Sequence, residues 1–71
     1  MNKEIVKMYE TIADALEILQ EDKTVNDVLN TVGAAVSSLS EVNFSIEVAV
    51  AISVVLKGAE KRINEITQSK Q

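Results

Sequence analysis

The chain has no cysteine, histidine, proline or tryptophan, and only two glycines and two aromatic residues, Tyr9 and Phe44. Without cysteine there is no disulfide and no thiol redox chemistry, and without cysteine or histidine the usual zinc ligands are missing. The absence of proline means that no residue forces a helix to kink. Long apolar runs are also lacking: within the most hydrophobic segment, "IEVAVAISVVL" at 46–56, the charge-free stretch between Glu47 and Lys57 is nine residues. A helix needs about 20 to cross a bilayer, so no membrane span is expected. The opening "MNKEIVKMYE" carries Lys3, Glu4, Lys7 and Glu10 and no apolar run of signal-peptide length, from which a cytoplasmic location is expected.

What is present is a short, acidic, aliphatic chain of 71 residues with net charge −4 and 46% hydrophobic residues, nearly all Ile, Val, Leu and Ala. A single domain of this size buries only about 60% of the surface its unfolded chain exposes. Small domains are supplemented by disulfides, metals or oligomerisation, and here the first two lack their ligands. Self-association is the remaining supplement.

Placing residues at about 100° per position divides the chain into three helical segments, 2–22, 25–42 and 45–68. In the first, Ile5, Met8, Tyr9, Ile12, Leu16 and Leu19 share one side, while Lys3, Lys7, Glu10, Asp14, Glu17 and Glu21 form a stripe opposite. The second opens with "TVND", where Thr24 can cap and Asp27 can close a short acidic capping box. Val25, Val28, Leu29, Val32, Ala35, Val36, Leu39 and Val42 follow at heptad spacing, with Asn43 a terminator. The third starts with Ser45 as an N-cap and Glu47 in the first turn, and Gly58 is its one weak interior position. Short links set the helices antiparallel, giving an all-α, up-down-up three-helix unit that assembles into a homo-oligomeric bundle.

A strand template also fits part of the third segment, because Ile46, Val48, Val50, Ile52, Val54 and Leu56 alternate with smaller or polar residues. No other segment offers a partner strand, and a lone strand leaves its backbone groups unpaired. Helix is preferred because the region runs without a turn signal into "GAEKRINEI", whose apolar residues keep helical spacing.

Read as a helix, the third segment has two apolar faces. Val48, Ile52, Val55, Leu56, Ala59, Ile63 and Ile66 form the inward stripe, and Ile46, Val50 and Val54 lie on roughly the opposite side. A three-helix unit cannot surround one of its own members, so the second face is expected to meet another copy, with Ala49, Ala51 and Ser53 allowing close approach. Packing of both faces within one unit, or a patch that recruits a different protein, are the alternatives.

Residues 24–56 hold no Lys or Arg, and the outer face of the second segment carries Asn26, Asn30, Gly33, Ala34, Ser37 and Ser40. Such small uncharged residues suit a second subunit contact or a ligand seam, against the simpler reading of a polar exposed face. A small anionic ligand would need cations drawn from Lys3, Lys7, Lys23, Lys57, Lys61 or Arg62. The acidic stripe Glu10, Asp14, Glu17 and Glu21 is most simply a solvated face. "KGAEKR" at 57–62 is the only basic cluster, and with a pI near 4.6 and two aromatics nucleic-acid binding is disfavoured.

Catalysis is not expected, since nucleophilic chemistry would fall to a pair such as Ser53 and Lys57 or to carboxylates on surface stripes. No cofactor and no metal site are expected, and no EF-hand spacing occurs. The segment "SSLSE" at 37–41 resembles the modified-serine segment of acyl carrier proteins, which implies phosphopantetheine on Ser38 ahead of Leu39. It departs from that pattern in having Ser37 in place of Asp, no long preceding loop, and a heptad repeat running through the site. The reading is a non-catalytic oligomeric binding protein, a regulator or inhibitor of the antitoxin or phage counter-defence type. Its rival is a sequestering protein that holds a nucleotide-like ligand between subunits.

Overall fold

The helical periodicity is realised as three helices in a computed structural model that describes residues 3–42 and 46–69. They are α1 (Lys3–Glu21), α2 (Val25–Ser40) and α3 (Ile46–Ser69), and no strand occurs among the described residues. The 46–56 segment is therefore helical. Its β-branched residues are accommodated because their side chains have neighbouring helices to pack on, which outweighs a weak local preference for extended backbone.

Each end that can be described has a local cause. Asp22 closes α1, its N–H donating to the carbonyls of Ile18 (3.0 Å) and Leu19 (3.3 Å). Two residues later Thr24 sits in extended backbone (φ −127°, ψ 159°), and its hydroxyl accepts from the Asp27 N–H at 3.0 Å. That satisfies one of the orphan donors of the first turn. The Asp27 carboxylate reaches back to the N–H of Lys23 at 3.4 Å, one residue before the cap. The box is thus closed one position earlier than in the standard arrangement, in which the acid binds the cap residue's own N–H. Helix α2 stops at Ser40, two residues short of the expected Val42, and tightens at its end: the N–H groups of Glu41 and Val42 donate to the carbonyls of Ser38 (3.3 Å) and Leu39 (3.2 Å). The expected terminator Asn43 and N-cap Ser45 lie outside the described residues.

Three stacked core layers define the topology. Met8, Leu39, Val48 and Ala51 form one end, Ala15, Ala35 and Val55 the middle, and Leu19, Val28, Ala59 and Ile66 the other end. Along this stack α1 and α3 run with rising residue number while α2 runs with falling number, which is the up-down-up order. The bundle is slender, 46 × 17 × 15 Å across its Cα atoms. Small residues at the middle layer let the helices approach closely. At Gly58 the approach is close enough that a Cβ there would lie 2.6 Å from Leu16 Cδ2.

Several expected core positions are not buried. Leu56 belongs to the expected inward stripe but is 49% exposed, and Ala51, expected on the outer side, is buried at 2%. Position 51 lies three residues after Val48 and four before Val55, so it shares their face. Leu56 is turned about 100° past Val55, beyond the arc that two neighbours can cover. For the same reason Ile5, Tyr9 and Leu29 are exposed while Ala15 is core. Each helix of a three-helix unit buries a narrow arc, and large side chains at its margins stay at the surface.

Candidate functional site

Five exposed large apolar side chains, Ile5, Tyr9, Ile46, Val50 and Val54, gather on one edge, where α1 and α3 run side by side, while Val6, Ile18, Leu29 and Leu56 lie elsewhere. Ile5, Met8, Tyr9 and Ile12 of α1 and Ile46, Glu47, Val50, Ala51 and Val54 of α3 line a shallow groove of about 260 Å³. Tyr9 is 69% exposed, Ile46 80%, Val50 55% and Val54 40%. The groove arises because α1 and α3 are parallel neighbours. Their inner faces meet at Met8 and Ala51, and the next positions around each helix, Ile5 and Tyr9 on one and Val50 and Val54 on the other, splay outward. Among the described residues Glu47 is the one charged residue lining it. Such a surface leaves aliphatic area in water that burial would stabilise, at about 25 cal/mol per Å².

Of the other residues expected on this face, Ala49 and Ser53 are exposed, and the Ser53 hydroxyl donates back to the Ala49 carbonyl at 3.0 Å. That local bond occupies the hydroxyl within its own helix. Lys57 lies one turn further along α3 and forms an exposed pair with Glu60 at 3.6 Å.

A second groove, of about 390 Å³, lies on the α1–α2 edge and is lined by Thr11, Asp14, Ala15, Ile18, Asn30, Thr31, Ala34, Ala35 and Ser38. It takes in Asn30 from the expected polar seam. Asn26, Ser37 and Ser40 are exposed on α2 outside it, the Ser40 hydroxyl donating to the Val36 carbonyl at 2.7 Å. The four seam residues share the outer side of α2 and are not gathered into one pocket. Ser38, the position of the acyl-carrier resemblance, is half-buried within regular helix.

The cations expected for an anionic ligand are dispersed. Lys23 is exposed beside the α1–α2 link. Lys61 and Arg62 line a third groove, of about 310 Å³, between α1 and α3 with Leu16, Leu19, Gln20, Gly58 and Glu65. Arg62 is held there by protein groups: its Nε donates to the Asp22 carbonyl at 2.9 Å, and a terminal nitrogen meets the Glu65 carboxylate at 3.3 Å. The polar groove and the cationic groove are on different edges of the bundle.

Sequence reasoning had not singled out Asp22. Its carbonyl takes the Arg62 bond while its carboxylate accepts from the Thr31 hydroxyl at 2.6 Å, so one link residue joins all three helices. A polar residue at a helix end is a common sequence feature, and nothing in its spacing to Thr31 or Arg62 marks the pairing.

Among the described residues no group of three acidic side chains could hold a metal ion, and no helix is long and apolar enough to cross a membrane. No protein-family model, curated protein or solved structure matches this chain.

Proposed function

We propose that this chain is a non-catalytic binding protein that works by protein–protein contact, and that it self-associates through the α1–α3 apolar face. The observation that carries the reading is the cluster of Tyr9, Ile46, Val50 and Val54, large apolar side chains left in water at one edge of the bundle. A contiguous apolar patch of this kind marks an interaction site.

The decisive measurement is the solution mass by light scattering together with native mass spectrometry. The protein is expected to be larger than a monomer, and Val50→Asp or Val54→Asp is expected to reduce it to monomer with its helical circular dichroism retained. An unchanged mass in both variants would remove this face from the interface.

A further inference from the structure

We infer that the second copy lies against the outer side of α3 in antiparallel register, centred on Ile52, so that Val50 of each chain packs on Val54 of the other and Glu47 of each pairs with Lys57 of the other. This rests on the self-association proposed above and specifies its geometry.

The argument is the spacing of four exposed residues on one helix. Glu47, Val50, Val54 and Lys57 are separated by three, four and three positions, the a-d-a-d repeat of a coiled-coil seam. At 100° per residue they fall within an arc of about 80°, on the side of α3 turned away from Val48 and Val55. All four are exposed. The spacing reads the same in both directions, so a two-fold axis at position 52 superposes the stripe on itself. In an antiparallel pair of helices a positions face d positions, which puts valine on valine at the centre and a carboxylate opposite an ammonium at each end.

Parallel pairing of the same stripe would set Glu47 against Glu47 and Lys57 against Lys57. Like charges opposed in this way are unfavourable, so the charge pattern selects the antiparallel arrangement. A two-fold contact is also self-complementary and closes at the dimer, which makes the two Glu47–Lys57 pairs equivalent. The present partner of Lys57, Glu60, is a surface pair of low worth and gives the ammonium up readily. Ile5 and Tyr9 of each copy then flank the seam on its α1 side.

Two experiments on the 71-residue chain test this. In sedimentation equilibrium at low salt, Glu47→Lys and Lys57→Glu should each weaken the dimer roughly tenfold, because each disturbs two equivalent pairs, and the double variant should recover most of the loss. Since the chain has no cysteine, introduced thiols report distance directly. Val50→Cys chains mixed with Val54→Cys chains should oxidise to the mixed disulfide, while neither variant alone should crosslink. A wild-type dimer that is indifferent to the charge reversals, or crosslinking of Val50→Cys with itself, would overturn this register and leave self-association standing. A wild-type monomer at every concentration would overturn both.

Discussion

Arg62 reaches across the end of the bundle to donate a 2.9 Å hydrogen bond from its Nε to the main-chain carbonyl of Asp22, forty residues earlier in the chain. The residue most suited to gripping an anion is thereby committed to holding α3 against the α1–α2 link. Its side chain is 26% exposed, so the bond is partly sheltered from water. Arg62→Ala is expected to destabilise the fold by about 1 kcal/mol, read as a lower urea midpoint at unchanged slope. An unaltered midpoint would mean that the contact is only incidental.

The two glycines make opposite demands. A Cβ on Gly33 meets nothing within 4 Å, whereas one on Gly58 meets Leu16 Cδ2 at 2.6 Å. Gly33→Ala should therefore stabilise by about 0.5–1 kcal/mol through helix propensity alone. Gly58→Ala gains the same propensity but must displace a half-buried leucine, so its net effect should be smaller or of opposite sign. Thermal melts of the two variants side by side decide this, and equal stabilisation would show that Leu16 moves at no cost.

The cap at Thr24 can be tested in the same way. Its hydroxyl accepts from Asp27 N–H without help from tertiary packing, so Thr24→Ala should cost about 1 kcal/mol. In a chain of this size that corresponds to a melting point lower by about 4–8 °C. Thr24→Ser, which keeps the oxygen, should lose much less.

Leu39 and Leu56 are the same residue type in opposite settings, 1% and 49% exposed. Leu39→Ala removes side-chain volume from the layer it shares with Met8, Val48 and Ala51 and should cost about 2–5 kcal/mol. Leu56→Ala should cost under about 1 kcal/mol. Chemical denaturation of both variants would reveal a comparable loss at Leu56 if that side chain is covered in the assembled protein.

If folding is linked to association, stability depends on protein concentration. The melting temperature of the wild-type chain should rise with concentration over the range in which it assembles, and that of Val54→Asp should not. Flat curves for both would separate folding from self-association.

The three helices, their order and the cap at Thr24 were legible in the residues because each depends on near neighbours: apolar spacing of three and four, a hydroxyl three residues before an acid, and short links. Ile46, Val50 and Val54 could likewise be assigned to a separate side of α3 from Val48 and Val55, since 100° per residue requires it. What failed was the width of the buried arc. Tyr9, Leu29 and Leu56 sit at helical positions adjoining the core and are exposed. No one-dimensional pattern states how far around each helix its two neighbours extend.

The sequence by itself determined that this chain is helical, because periodicity and capping act over one or two turns. Only the tertiary structure decided that α1 and α3 lie side by side in parallel, so that Ile5 and Tyr9 join Val50 and Val54 along one groove. It also decided that Arg62 is spent on Asp22 and that Leu16 of α1 comes up against Gly58 of α3. Those relationships join residues some forty positions apart, and their physical cause is the distance between packed helix axes.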